Sequence, residues 1–148
     1  MKPLHLETYY TIKAPREAVC KIIADFENVP KYFPRVAKSA RVVSRDGNKF
    51  VVEARTKAFF GSKTFSVRME GELRPPEGFV STNTSSLGIE HEVFTMEEIP
   101  EGTRIHYVND VEIKSWFLRL LGGFLIKRIA LKYWEHAVFD KMKEMLEK

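Results

Sequence analysis

Several functional classes are excluded by what this sequence lacks. One cysteine, Cys20, in 148 residues leaves no intramolecular disulfide framework and no cysteine-rich zinc module. Cys20 has only Lys21 as a basic neighbour, so it reads as a small buried or half-buried residue rather than a nucleophile. The four histidines, His5, His91, His106 and His136, are scattered. With no His-x-His, Glu-x-x-His or Cys-x-x-Cys spacing, no metal site and no cofactor are expected. A phosphate-cradling glycine loop and a nucleophile elbow are also missing. No apolar run approaches the ~20 residues of a membrane-spanning helix. No charged-then-apolar leader opens the chain, and the expectation is a cytoplasmic protein. Glutamine is absent and asparagine occurs four times, against 16 Glu and 14 Lys. Few amides among many Lys and Glu charges is a pattern of heat-adapted proteins, which suggests a thermophilic source.

What is present describes one ordinary globular unit. Hydrophobic residues make up 44% and charged residues 30%, and residues 1–148 fit a single domain. The net charge of +4 is unevenly placed. Residues 1–113 carry 16 basic and 16 acidic side chains, whereas residues 114–148 carry eight basic and four acidic ones. The basic excess adjoins the most apolar stretch, Trp116–Ile126, with eight bulky apolar residues in 11. Lys127 and Arg128 follow it directly.

Hydrophobic periodicity orders the elements. Residues 4–13 alternate as a strand, with Leu4, Leu6, Thr8, Tyr10 and Ile12 on one face. Pro15 opens a helix whose stripe Val19, Ile22, Ile23 and Phe26 ends near Asp25 or Phe26. Asn28 is placed to cap a second short helix carrying Tyr32 and Phe33, closed by Pro34. The period is two from residue 37 to 113, and Asp46-Gly47 signals a hairpin turn. One face of the next strand holds Phe50, Val52, Ala54, Thr56 and Ala58; the strand after it holds Phe65, Val67, Met69, Gly71 and Leu73. Strands near 79–85 and 89–98 follow, then a last face of Thr103, Ile105, Tyr107, Asn109, Val111 and Ile113. Residues 117–147 read as one long helix with Gly122-Gly123 as its weak point. Its apolar positions include Phe117, Leu120, Leu121, Phe124, Leu131, Trp134, Val138, Met142 and Met145.

The fold class is therefore α+β: about seven antiparallel strands in a curved sheet, two short helices after the first strand, and a long C-terminal helix across the sheet. This order resembles the helix-grip fold of the START-like superfamily, which includes the polyketide cyclase/dehydrase-like and coenzyme-Q-binding families. Two segments carry the resemblance, Ala14-Pro15-Arg16-Glu17-Ala18-Val19 and Ala24-Asp25-Phe26-Glu27-Asn28-Val29-Pro30-Lys31-Tyr32-Phe33-Pro34-Arg35-Val36. They are scaffold rather than chemistry. What the resemblance implies is a hydrophobic tunnel between sheet and long helix, holding a lipid, isoprenoid quinone or aromatic molecule.

The residues themselves allow a tunnel or a dense aromatic core. Small side chains at Ala54, Ala58 and Gly71 leave room that Phe50, Phe65, Tyr107, Phe124 and Trp134 only partly occupy. Thr56, Thr82, Glu92, Tyr107 and Asn109 are the candidate polar groups that would orient a guest. Asn109 sits in phase with apolar neighbours, and its burial would demand a partner for the amide. Glu92 and Tyr107 are candidates for an acid or base, but Glu92 reads first as a carboxylate solvated at the mouth. The leading function is binding or transport of a hydrophobic small molecule, without catalysis. A cyclase or dehydratase acting on an aromatic polyketide-like substrate is the alternative. A ribosome-association inhibitor, described among relatives in the resembling superfamily, ranks last because Arg and Glu alternate along the strands. The Trp116–Arg128 region, apolar and cationic, reads either as a helix buried under sheet and loops with Arg119, Lys127, Arg128 and Lys132 solvated, or as a gate that would touch an anionic membrane surface; no nucleic acid is expected as a partner.

Overall fold

In the computed structural model, residues 3–57, 63–114 and 123–147 are described. The elements are β1 (Leu4–Ile12), α1 (Arg16–Ile23), a 3-10 turn (Phe26–Asn28), α2 (Val29–Tyr32), β2 (Ala37–Asp46), β3 (Lys49–Lys57), β4 (Thr64–Arg74), β5 (Gly78–Ser85), β6 (Gly88–Ile99) and β7 (Gly102–Ile113). The C-terminal helix comprises α3 (Gly123–Trp134), a π-helical turn (Glu135–Phe139) and α4 (Asp140–Leu146).

The strands form one antiparallel sheet in the order β1-β7-β6-β5-β4-β3-β2. Five of its neighbouring pairs are consecutive in the chain, as short turns between alternating strands require. The exception is β1, which joins β7 and leaves β2 at the far edge. The connection from β1 to β2 must therefore cross the sheet, and it carries α1, the 3-10 turn and α2 over the inner face. Phe26 and Phe33 anchor this crossover in the core. At its start, the Thr103 hydroxyl donates to the Ala14 carbonyl at 2.7 Å, fixing the chain to β7.

Two details of the crossover differ from the sequence reading. The helix α1 ends at Ile23 rather than Asp25 or Phe26. Asn28 makes no side-chain cap for α2; its amide donates to both Asp25 carboxylate oxygens, at 2.9 and 3.0 Å. Asp25 also accepts from the Tyr32 hydroxyl at 2.8 Å. One carboxylate thus gathers the turn that a capping amide would otherwise have closed.

The two faces of the sheet separate cleanly. Outside, Arg41, Glu53, Arg68 and Glu70 form a ladder of exposed ion pairs at 2.8–3.2 Å. Opposite charges alternate there, so these strands present no continuous basic surface. Inside, Phe26 packs on Phe50 with ring centroids 4.4 Å apart, and Phe79 stacks on Phe94 at 5.4 Å. Phe139 is completely buried and touches the rings of Tyr10, Phe94 and Tyr107. The π turn contributes here: it buries three successive residues, Ala137, Val138 and Phe139. Such widened turns inside α-helices occur often at functional sites.

Gly71 does not open the interior as the sequence suggested. A Cβ built on it would collide first with the Val80 carbonyl oxygen of β5 and would lie 2.8 Å from the Phe50 ring, so the neighbouring strand and the phenyl group already occupy that space. Ala58, the other small residue of this set, lies outside the described residues. Replacing Gly71 by Ala is expected to destabilise the fold by about 1–3 kcal/mol through overpacking. Urea unfolding should show a lower midpoint at an unchanged slope; an unchanged midpoint would mean that neither the β5 backbone at Val80 nor the Phe50 ring closes the space beside Gly71.

Candidate binding site on the inner face

The inner face changes character along the strands. Toward one end, Phe50, Val52, Leu73, Phe79, Phe94 and Met96 are buried against the crossover and the C-terminal helix. Toward the other end, Ala54 and Thr56 on β3 and Phe65, Val67 and Met69 on β4 are only half-buried. They form an apolar wall that the described helices do not fully cover. The register sets polar residues beside it: Met69 pairs with Asn83 and Val67 with Ser85.

Those polar residues form a cluster across β5, β6 and β7. Ser81 pairs with Glu92 and Asn83 with Glu90, while Glu92 pairs with Asn109 and Phe94 with Tyr107. Ser81, Asn83, Glu92, Tyr107 and Asn109 are all buried, with Glu92 6% and Asn109 5% exposed. The Tyr107 hydroxyl donates to Glu92 Oε2 at 2.5 Å, and the Asn83 amide donates to Glu92 Oε1. Asn83 Oδ1 accepts in turn from Ser81 at 3.2 Å. Glu90, half-buried, receives the Asn109 amide at 3.3 Å and a longer contact from Asn83 at 3.5 Å. Among the described residues, no Lys, Arg or His pairs with either carboxylate.

Removing a carboxylate from water without a cation favours its protonated form. Burial accordingly pushes Glu92 up to about 7, and the Glu90 charge acts in the same direction. Hydrogen bonds from Tyr107, Asn83 and Ser81 oppose that rise. Glu90 is likewise raised by burial, against the hydrogen bonds of Asn109 and Asn83. Tyr107, enclosed and facing both acids, is held well above the usual phenol range by burial first and their charges second. A carboxyl near pKa 7 on a phenol donor is a group that can exchange a proton at neutral pH.

Trp134 closes the cluster from the helix, its indole stacked on Tyr107 with centroids 5.2 Å apart. Two buried polar atoms here have no hydrogen-bond partner: Asn109 Oδ1 and Trp134 Nε1. Elsewhere the histidines pair with acids on the surface, His106 with Glu7 at 2.7 Å and His91 with Glu112 at 3.2 Å. No group of three His, Cys, Asp or Glu side chains among the described residues is placed to hold a metal ion. Cys20 is half-buried, and burial raises its thiol above the ordinary range.

The sequence-derived candidates are therefore sorted by depth and face. Phe50, Val52, Tyr107 and Asn109 are buried on the inner face, and Ala54, Thr56, Phe65, Val67 and Met69 line its half-buried part. Leu131 and Trp134 are half-buried on the C-terminal helix. Glu92 is not solvated at a mouth but lies inside the polar cluster. Thr82 is corrected outright: it is exposed on the outer face and contacts His91 at 3.3 Å. On β5 the inward phase belongs to Phe79, Ser81 and Asn83, one residue out of step with Thr82. Phe117, Leu120 and Leu121 lie outside the described residues, as does the side chain of Phe124. Sequence reasoning missed Glu90, Ser81 and Asn83. The signal for Glu90 was its phase with Phe94 and Met96, two and three steps along the same alternation.

The shifted acid has a thermodynamic consequence. Glu92 holds its proton up to about pH 7 when folded, against its ordinary 4.5. The folded state therefore binds more protons in that window, and its stability must fall as pH rises from 4.5 through 7. The loss is on the order of 3 kcal/mol by pH 8. Urea unfolding of Glu92→Gln at pH 5 and pH 8 should show a flatter pH dependence than the parent protein. Parallel slopes would mean that Glu92 titrates alike in both states.

Comparison with known proteins places this architecture. A family model described as polyketide cyclase / dehydrase and lipid transport matches residues 12–133. A START superfamily protein from Mycobacterium smegmatis superposes with TM-score 0.81 at 15% identity, covering 97% of each chain. TTHA0849 from Thermus thermophilus gives 0.79 at 19% identity, over 95% of this chain and 94% of that one. The Zhui aromatase/cyclase from Streptomyces sp. R1128 gives 0.77 at 14% identity, over 97% of this chain and 93% of that one. No curated protein matches by sequence. Identities this low establish the helix-grip fold, and the family model establishes the rest: this chain belongs to the polyketide cyclase/dehydrase and lipid transport family.

Proposed function

We propose that the inner face binds a hydrophobic small molecule between the sheet and the C-terminal helix, as a carrier rather than a catalyst. The observation that carries this reading is the apolar wall of Ala54, Phe65, Val67 and Met69, half-buried on the side of the sheet that forms the core. Apolar surface left partly uncovered in that position is stabilised by an apolar guest. A family described by both cyclisation and lipid transport supports it. A lipid or an isoprenoid quinone is the first guest to test, with an aromatic compound next. Native mass spectrometry of gently purified protein, followed by organic extraction, should recover a bound lipid, isoprenoid or aromatic compound. Repeated recovery of ligand-free protein that also fails to bind an added quinone or lipid would overturn the carrier reading.

One observation favours a second reading, an enzyme of the cyclase or dehydratase type. Glu92, pushed up to about 7 and bonded to Tyr107, has the proton affinity that a general acid or base needs at neutral pH. Turnover of a poly-β-ketone model compound, with a pH profile inflecting near 7 and abolished in Glu92→Gln, is the expected result for an enzyme. Identical rates with and without the protein would remove this reading.

Guest exchange at an anionic membrane surface is supported by the C-terminal helix. Of the Trp116–Arg128 segment, Lys127 and Arg128 have described side chains; Ile129, which is 42% exposed, shares a helix face with the exposed Lys132 and follows Arg128 directly. No helix among the described residues is long and apolar enough to cross a membrane. Surface contact needs only this cationic, locally apolar face, each cation adding ~1 kcal/mol near anionic lipid. Co-sedimentation with anionic vesicles at low salt, and its loss at high salt or with neutral vesicles, is expected. Equal, negligible binding to both vesicle types would exclude the contact.

A further inference from the structure

The polar cluster has a surplus of acceptors. Glu90 and Glu92 each offer about four acceptor positions when ionised. Their neighbours among the described residues are neutral: Asn83, Asn109, Ser81 and Tyr107. Asn109 spends its amide nitrogen on Glu90, and its Oδ1, buried and aimed into the same cluster, accepts nothing. Each carboxylate oxygen meets a neutral donor and, among the described residues, no cation, and the Asn109 carbonyl meets neither, so the cluster costs free energy as it stands and is not explained by stability. The arrangement is built for something that brings donors and positive charge.

We propose that the guest carries a protonated amine, whose ammonium group sits between Glu90, Glu92 and Asn109 Oδ1 while its apolar body lies along Ala54, Val67 and Met69. This rests on the guest-binding reading above and narrows it to one chemical class. An ammonium has three donors and no acceptor, so it meets the deficit of the cluster without adding to the surplus. Hydrogen bonds to charged groups are also the stronger kind, and stronger still away from water. The Tyr107 hydroxyl reaches Glu92 and Trp134 stacks on the Tyr107 ring, so an aromatic pair adjoins the acids. Trp134 Nε1, the remaining unpartnered donor, takes an acceptor elsewhere on the guest. The register explains why body and head meet at this place: Met69 pairs with Asn83, which in turn pairs with Glu90.

Three probes with one chain and different heads separate this from the parent reading. Dodecylammonium, dodecanol and dodecanoate would each displace the neutral fluorophore N-phenyl-1-naphthylamine from the protein at pH 8, below the micelle concentrations of the two charged probes and the solubility limit of the alcohol. The ammonium is expected to bind at least about tenfold more tightly than the alcohol, with the carboxylate weakest. In the Glu90→Gln/Glu92→Gln double variant the ammonium-to-alcohol ratio should fall to within about twofold. Should the double variant fail to fold, as circular dichroism would show, Glu90→Gln alone should cut the ratio severalfold. Equal potency of ammonium and alcohol, or a preference that survives the substitutions, would overturn the amine assignment while leaving the apolar guest in place. Absence of binding by the fluorophore and by all three probes would overturn both.

Discussion

The organising constraint of this fold is geometric: a sheet of seven strands is wider than any one helix can cover. At about 4.8 Å per strand spacing its inner face is about 29 Å across, whereas a helix with side chains is about 10 Å wide. The chain covers the face with two separate elements. The crossover from β1 to β2 brings Phe26 over Phe50 and Phe79, and the C-terminal helix brings Phe139 over Phe94 and Tyr107. The aromatic contacts knit these two covers into one core. Beyond them, on the ends of β3 and β4, the same face continues half-buried. The binding reading follows from that unequal cover, which is a property of the architecture before it is a property of any residue.

Set into this face, the polar cluster opposes folding. Burial raises the proton affinity of both acids, the Glu90 charge raises that of Glu92 further, and only neutral donors oppose the rise. Apolar side chains of similar size would make the simpler and more stable core. The π turn belongs to the same pattern, since it departs from the regular helix opposite the cluster, next to Trp134. Polar residues interrupt the apolar inner face of a regular part of the sheet, and the helix above departs from α geometry next to Trp134, which stacks on Tyr107. Such coincident departures are expected where function, not stability, sets the residue choice.

Much of the fold was legible in the sequence because it depends on period. Alternation marked the strands, Asp46-Gly47 marked the first hairpin, and helical spacing without proline marked the C-terminal element. The site was less legible because periodicity reports which face a residue takes, not how deep it lies. Glu92 was in phase with the interior, yet a carboxylate is read as solvated unless something else demands burial. The demand came from β5 and β7, which place Asn83 and Tyr107 on either side of it. Thr82 failed for a different reason. Its strand is polar on both faces, Ser81, Asn83 and Ser85 against Thr82 and Thr84, so alternation gives no contrast, and only Phe79 fixes the inward phase. The π turn leaves no periodic trace in a helix so apolar on several sides.

The two uneven charge distributions of this molecule, an acidic interior and a basic C-terminal helix, look opposed under the proposal of a cationic guest. They act over different ranges. The helix cations Lys127, Arg128 and Lys132 face solvent to different degrees, and salt screens them within about 8 Å. Glu90 and Glu92 act at contact, where water is largely excluded. An anionic membrane would reconcile the two under the proposed surface contact, because the same surface potential attracts a basic helix and enriches ammonium amphiphiles. Docking by the helix would then bring the protein to its guest where the guest is most concentrated. The exterior charge would select the surface, and the interior charge would select the molecule.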